Sequence, residues 1–325
     1  MASTERRPTT QEPAISVVIA THNHRAYVGD ALCSLFRQVT GTPPYEIIVV
    51  DDGSTDDTSD MLARLAGEST VPLTMLRLPV RSGRSVARNR GIEQARAEIV
   101  AFTDSDCTPA EDWLLQGWRA MSATSAGMVQ GRTSAPPGAR VPFFSHFIEI
   151  DGEDGSYATC NIFYRRGALE AAGGFDPNVE YWEDADLGWR VQRLGWHSVY
   201  DPSVIVYHQI IPLSAMQWVL WPRRYGHYPL RSARFPESRR YLYAGIFVDR
   251  YHAMFTLALL GAVLAVLGRR PYALVLVLPY VVSFLRRHGL SGRLPLVKAG
   301  LHFAWDLVAF GVLSGQSIRN KSLVL

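Results

Sequence analysis

The chain has 325 residues, 47% of them hydrophobic, and a formal net charge of +3. That apolar content excludes a disordered or fibrous protein, and it suffices for one large core or for a catalytic domain with an appendage. The charge is unevenly divided: residues 1–208 hold 18 Lys and Arg against 27 Asp and Glu, a balance of −9, whereas residues 209–325 hold 15 basic residues against three acids, Glu237, Asp249 and Asp306, a balance of +12.

Residues 1–13 are polar and charged, lack an apolar core, and read as a disordered N-terminus without a signal peptide. Apolar β-branched runs at 15–20, 46–50, 73–78 and 98–102 predict buried strands, and helical patterns at 27–39, 57–67 and 84–97 fall between them. This alternation predicts an α/β domain over 14–210: a mostly parallel sheet with flanking helices. Ligands of such sheets bind beyond the carboxyl ends of the strands. Three polar clusters stand there: Thr21-His22-Asn23, Asp51-Asp52-Gly53-Ser54 and Asp104-Ser105-Asp106. Further on, Gly173-Gly174-Phe175-Asp176 opens a segment that becomes helical from about Asp184, with Leu187, Val191 and Leu194 on one face and Glu183, Asp184 and Asp186 at its start. Residues 198–208 read as extended and end in His208.

From Pro212 the character changes. Trp218, Trp221, Tyr225 and Tyr228 mix with paired arginines at 223–224 and 239–240, which fits a lipid headgroup region and predicts an amphipathic interfacial segment over 211–250. Runs at 254–267 and 271–285 are nearly pure apolar, but shorter than the ~20 residues of a full span. A third, 294–313, carries Lys298, His302 and Asp306. Residues 251–325 therefore predict membrane-associated helices, as a hairpin, a re-entrant pair or an interfacial layer; a soluble helical domain is the alternative. Basic residues flanking apolar runs favour membrane lipid over nucleic acid as the partner of this half. Cys33, Cys107 and Cys160 show no zinc pattern, which predicts reduced thiols and a cytoplasmic catalytic domain. Nothing in the sequence signals an oligomeric state.

Two carboxylates two residues apart on an extended segment, Asp104 and Asp106, would point the same way and could hold a hard divalent cation with positions left for diphosphate oxygens. Asp51 and Asp52 could accept hydrogen bonds from a base or ribose, or cap the following helix; Thr21 and Asn23 have the same two readings. A hydroxyl acting as nucleophile must lose its proton, which calls for a carboxylate such as Glu183 or Asp184, kept ionised by a helix N-terminus. Trp182 offers a face on which a sugar ring could stack. His208 could supply a neutral imidazole to the metal, or be structural.

The segments Ser16-Val17-Val18-Ile19-Ala20-Thr21-His22-Asn23, Val49-Val50-Asp51-Asp52-Gly53-Ser54-Thr55-Asp56, Ala87-Arg88-Asn89-Arg90-Gly91, Asp104-Ser105-Asp106, Gly173-Gly174-Phe175-Asp176 and Glu183-Asp184-Ala185-Asp186-Leu187 together resemble family 2 glycosyltransferases of GT-A fold. The resemblance implies a metal-dependent transferase that inverts the anomeric centre of a nucleotide-diphosphate sugar, with Mg²⁺ or Mn²⁺ as cofactor; the apolar C-terminal part adds the expectation of a glycan or lipid-linked, membrane-proximal acceptor. It implies that Thr21, Asn23 and Asp51 contact the nucleoside, that Asp104 lies near the ribose and metal, and that Asp106 and His208 ligate the metal; His22 and the turn Arg81-Ser82-Gly83-Arg84 depart from the family's commoner residues, and with Asp52 they complete the expected nucleotide-binding set through His22, Asp52 and Arg84. Asp184 would be the general base, and Asn161, Trp182 and Glu183 would lie near the acceptor and donor sugar. Two other readings compete. Asp104-x-Asp106-x-Thr108 is similar to the motif of haloacid dehalogenase-type phosphatases, with Asp104 as nucleophile, and a non-catalytic membrane scaffold would leave the carboxylates expendable.

Overall fold

The computed structural model describes residues 12–288 and 293–325, so the stretch expected to be disordered, 1–13, lies almost wholly outside the described residues. The chain forms two compact units, one of residues 12–141 and 146–211, the other of residues 142–145 and 212–325.

In the first unit, strands β1 (Ile15–Thr21), β2 (Tyr45–Asp51), β3 (Leu73–Arg77) and β4 (Ile99–Phe102) alternate with helices α1 (Val28–Phe36), α2 (Thr58–Glu68) and α3 (Arg84–Gln94). β1 pairs in parallel with β2 and β4, and β2 with β3. Their apolar runs are near-continuous because both faces are covered: Val17, Val18, Ile47, Ile48, Val49 and Val50 are all buried. The register sets Thr21 level with Asp51 and Val18 level with Phe102, so β1, β2 and β4 deliver their following loops to one edge.

The rest of the unit comprises β5 (Cys107–Pro109), α4 (Trp113–Ala123), β6 (Met128–Ser134), β7 (Ile162–Arg165), α5 (Arg166–Ala172), α6 (Glu183–Arg193) and β8 (Ser198–His208). The eight strands form one sheet in the order β3-β2-β1-β4-β7-β6-β8-β5. β7 runs antiparallel to β4 and β6, β6 parallel to β8, and β5 antiparallel to β8. The β5–β8 pairing sets Cys107 opposite His208, and so carries the end of β8 to the Asp104–Asp106 loop. Trp113 and Phe163 pack with ring centroids 4.8 Å apart beneath this half of the sheet, each contributing about 1.5–3 kcal/mol through burial.

The second unit holds α7 (Ala215–Leu220), closed by a Ser214–Gln217 capping box, then α8 (His227–Arg234) and α9 (Arg250–Val266), whose N-cap Asp249 accepts the N–H groups of Tyr251 and His252. Then come α10 (Leu278–His288) and α11 (Arg293–Asn320). The apolar run 254–267 lies mostly in α9, and 271–285 starts as a tight 3-10 turn, Pro271–Val277, before α10. The third stretch is part of one continuous helix of 28 residues. Its portion Val297–Asn320 is long and apolar enough to cross a membrane, by length and composition. Leu260, Val263, Val266, Leu267, Tyr272 and Val275 are exposed around α9 and the turn after it.

Candidate active site

The loops at the carboxyl ends of β1, β2 and β4 are tied together by their own polar side chains. The Asp52 N–H donates to the Thr21 carbonyl at 2.8 Å, and His22 Nδ1 donates to the Asp52 carbonyl at 2.8 Å. Asn23, at φ 54°, accepts the Thr55 N–H at 2.8 Å and the Asp56 N–H at 3.3 Å, tying the loop after β1 to the loop after β2. Asp51 is buried and accepts from the Ser54 N–H at 2.9 Å and from the Ser59 hydroxyl. Gly53 makes the turn between them at φ 66°; a Cβ there would sit 2.6 Å from the Val80 carbonyl carbon, so only glycine fits. The Thr21 hydroxyl is buried without a protein partner.

Asp52 reaches the other way. Its two carboxylate oxygens accept the Ser82 N–H at 2.6 Å and the Gly83 N–H at 2.9 Å, fixing the turn from which α3 starts. That helix carries Arg84, largely exposed, and Arg88, which is 4% exposed. The Arg88 guanidinium is the hub of the site: Nη2 donates to Asp104 at 3.0 Å, and Nη1 donates to Glu183 and to Asp184, each at 3.0 Å. Arg84 adds a second contact to Glu183 at 3.3 Å. A planar fork with donors on two nitrogens can hold carboxylates from separate loops in one plane, which lysine cannot.

Asp184 stands in the first turn of α6. Besides the Arg88 bond it accepts the Thr159 N–H at 3.1 Å and the Thr159 hydroxyl at 3.0 Å. Burial raises its pKa to about 6, against the pull of Arg88. Asp104 is also desolvated, but Arg88, Arg84 and His208 more than cancel that and hold it below the usual carboxylate range. Burial and the Asp104 charge push Asp106 upward. Two acids on one loop are thus driven apart in proton affinity, one held down by Arg88 and the other held up by burial and by its neighbour's charge.

Asp104-Ser105-Asp106 is a turn, closed by the Cys107 N–H to the Asp104 carbonyl at 3.1 Å, and not the extended segment expected. Its carboxylates consequently diverge: Asp104 faces Arg88, and Asp106 faces His208, with Oδ1 4.0 Å from Nε2. Asp106, Cys107 and His208 bring one ligand atom each within 4.8 Å of one another. Cys107 is a buried free thiol, pushed well up by burial and by a hydrogen bond with the Cys160 thiol, so it is a poor partner for a hard cation. Asp106 and His208 fit Mg²⁺ or Mn²⁺ with open positions left over; Asp104 is not among this group.

Two expectations are corrected. Asn161 is fully buried, and its amide is saturated: Nδ2 donates to the Arg132 and Val204 carbonyls, and Oδ1 accepts the Trp113 indole N–H, at 2.7–2.8 Å. It pins β6, β7 and β8 together and offers nothing to a sugar. Trp182 is 6% exposed, because Tyr181 at φ 68° turns the chain so that Tyr181, 53% exposed, faces outward instead. Sequence reasoning missed Arg88 as a site residue although it quoted the segment containing it, and Thr159, the neighbour of Asn161 that does reach the site. His24, bonded to the Ser105 hydroxyl at 2.7 Å, was missed as well.

Residues 16–172 match the sequence model of glycosyl transferase family 2. The chain belongs to this family. Its first unit has the GT-A fold, and the transferase superposes on a mannosyltransferase from Pyrobaculum calidifontis in complex with GDP-Man and Mn²⁺, with a TM-score of 0.59 at 19% identity over 96% of this chain and 88% of that one. It is 28% identical over 216 residues to the glycosyltransferase AglE of Haloferax volcanii, covering 64% of this chain and 71% of that protein. It is 28% identical over 210 residues to a beta-monoglucosyldiacylglycerol synthase of Nostoc sp., covering 59% of this chain and 44% of that protein. The phosphatase and scaffold readings fall with family membership.

Proposed function

We propose that this transferase inverts the anomeric centre of a sugar carried on a nucleoside diphosphate, in one displacement, with Asp184 as general base. The observation that supports this best is the single guanidinium that bonds Asp104 and Asp184 at 3.0 Å each, joining the donor edge to the acceptor edge. In the step, an acceptor hydroxyl gives its proton to Asp184, its oxygen bonds the anomeric carbon, and the bond from that carbon to the diphosphate oxygen breaks. A carboxylate with a pKa of about 6 is ionised at neutral pH yet basic enough to take that proton.

Thr21, His22, Asp51 and Asp52 form the nucleoside wall, with Thr21 offering its unpartnered hydroxyl. Arg84, mostly exposed at the start of α3, faces the phosphates. Asp106 and His208 would hold Mg²⁺ or Mn²⁺, which when bound offsets charge on the departing diphosphate. Glu183 sets Arg88 and Arg84 in place. Residues 14–210 are the catalytic domain, 211–250 an interfacial segment and 251–325 a membrane-associated region, which would bring a membrane-proximal or lipid-linked acceptor hydroxyl to a catalytic domain on the cytoplasmic side. Exposed apolar side chains on α9 and the composition of α11 support that placement, as does the diacylglycerol named in the Nostoc relative.

Incubation with a panel of nucleotide sugars and Mn²⁺, scoring nucleoside diphosphate release and then the anomeric configuration of the product by NMR, tests the reading. Inversion with one donor is expected. A product of retained configuration would refute the single displacement.

A further inference from the structure

The pairing of β5 with β8 sets Cys107 directly opposite His208, and side chains opposite each other on neighbouring strands stand on one face of the sheet. Asp106, in the turn just before β5, completes a group in which one ligand atom from each of the three side chains lies within 4.8 Å of the others. Cys107 and His208 are buried, whereas Asp106 keeps 17% of its side-chain surface in solvent and opens the group to ions. His208 is already set for coordination. Its Nδ1 meets the Gln209 carbonyl at 2.8 Å, and a carbonyl only accepts, so the proton of the neutral ring sits on Nδ1. The Nε2 lone pair, 4.0 Å from Asp106 Oδ1, is left for a cation.

A hard cation uses two of these donors and passes over the third. Mg²⁺ and Mn²⁺ prefer oxygen, whereas a sulfur ligand selects ions of the Zn²⁺ kind. Such ions hold cysteine sulfur at about 2.3 Å, imidazole nitrogen at about 2.0–2.1 Å and carboxylate oxygen at about 2.0–2.2 Å, in a tetrahedron whose fourth corner can stay open. Bonds of that length put ligand atoms about 3.3–3.6 Å apart, so the three side chains have to close by about 1 Å around an ion. Behind the sulfur stands a polar chain: the Cys160 thiol is hydrogen-bonded with Cys107 and lies 3.6 Å from Thr133 Oγ1. Among the described residues no other three side chains of these types meet in this way.

We infer that Cys107 extends the Asp106–His208 pair into a three-donor site for a thiophilic divalent cation of the Zn²⁺ class, in competition with the hard cation of the proposed transfer, a competition that rests on the reading of Asp106 and His208 as that cation's ligands. As the thiophilic ion binds, the Cys107 S–H proton passes to solvent and the sulfur lone pair forms the new bond, with nothing oxidised or reduced. Two protein ligands on an octahedral ion leave four positions for diphosphate oxygens and water; three on a tetrahedral ion leave one. Exchange of the hard cation for the thiophilic one therefore weakens the hold on the diphosphate and lowers transfer.

The test uses the full-length protein, stripped of metal with EDTA and then freed of the chelator. Co²⁺ serves as the coloured stand-in for Zn²⁺, and Mn²⁺ is followed by electron paramagnetic resonance. Wild type should take up Co²⁺ with a sulfur-to-metal charge-transfer band that Zn²⁺ bleaches, and Zn²⁺ should expel bound Mn²⁺ and lower nucleoside diphosphate release in step. Cys107→Ser should lose the band and bind Zn²⁺ about 10-fold or more weaker while binding Mn²⁺ as wild type does, which also shows that the variant is folded. His208→Ala, with every thiol in place, should lose the band too, and Cys160→Ser should keep it. Absence of a sulfur band in wild type overturns the inference, and Mn²⁺ bound by the same sample leaves the hard-cation reading standing. A band that survives Cys107→Ser, or that disappears with Cys160→Ser alone, overturns the assignment to Cys107, and Zn²⁺ that bleaches the band without expelling Mn²⁺ overturns the competition. A sulfur band in a protein that binds no Mn²⁺ removes the hard-cation reading and keeps the thiophilic site.

Discussion

Replacing Arg88 by Gln removes one 3.0 Å bond from each of Asp104, Glu183 and Asp184. Breaking a buried ion pair from one side costs about 3–5 kcal/mol, and here the upper part of that range is relieved because Asp104 and Asp184 keep 25% and 21% of their side-chain surface in solvent. The relief takes the form of proton uptake. Asp184 already has a pKa of about 6, raised by burial and held there by Arg88; an adjacent arginine lowers a carboxylate by about 1–3, so its loss raises Asp184 by that amount. At pH 7 the ionised fraction then falls from about 0.9 to between about 0.5 and 0.01. Transfer at pH 7 should drop about 2- to 100-fold from this cause and recover as the pH rises toward 9, which a misfolded variant would not do. The assay is kcat/KM for nucleoside diphosphate release across pH 5.5–9.5, with circular dichroism at each point. If the acid limbs of variant and wild type coincide, Arg88 does not set the charge of Asp184.

Asp184→Asn should lower kcat by about 10²–10⁴ with donor affinity retained, since the amide keeps the shape that meets Thr159; steady-state kinetics beside donor titration separates the two. Asp106→Asn and His208→Ala should each weaken Mn²⁺ binding by about 10-fold or more, read by calorimetry, while removal of the cation with EDTA should stop transfer in wild type. Asn161→Ala deletes three buried hydrogen bonds and should cost about 3 kcal/mol, seen as a lower urea midpoint with an unchanged KM for the donor.

The first half of the sheet was legible because it is written in local patterns: continuous apolar runs, each followed by polar loops that an α/β sheet must deliver to one edge. Asp51, Asp52 and Asp104 were found by that rule alone. Of the second half only residues 198–208, strand β8, were read as extended, since antiparallel β7 and the short β5 depend on pairings between distant segments that no periodicity announces. The same holds for Arg88. On α3 it looks like any surface arginine of a polar helix, and only the meeting of α3 with α6 and the β4 loop reveals three carboxylates around it. Asn161 and Trp182 failed for the opposite reason. A polar amide and an aromatic beside acidic residues suggest a binding surface, but exposure is decided by neighbours, by the Trp113 indole for one and by the backbone reversal at Tyr181 for the other.

A shared guanidinium links the proton affinity of the base to the charge on the donor edge, and the link has a sign. Asp104 competes with Asp184 for Arg88, and its own negative charge raises the Asp184 pKa. Removing that charge with Asp104→Asn should therefore free Arg88 for Asp184 and lower its pKa, the reverse of Arg88→Gln. Because Asp184 is raised above the ordinary carboxylate value of 3.8 in the folded protein, its ionisation opposes folding by about 3 kcal/mol above pH 6. That penalty is absent below about pH 4 and sets in between the two pH values. Asp104→Asn should narrow this window from above, so that stability falls less between pH 4 and 6 than in wild type, and the acid limb of whatever transfer remains should move to lower pH. Urea midpoints at pH 4, 5, 6 and 7 measure the first effect without relying on activity. A pH profile of stability that steepens, or an acid limb that moves upward, would show that Asp104 and Asp184 do not share Arg88 in solution.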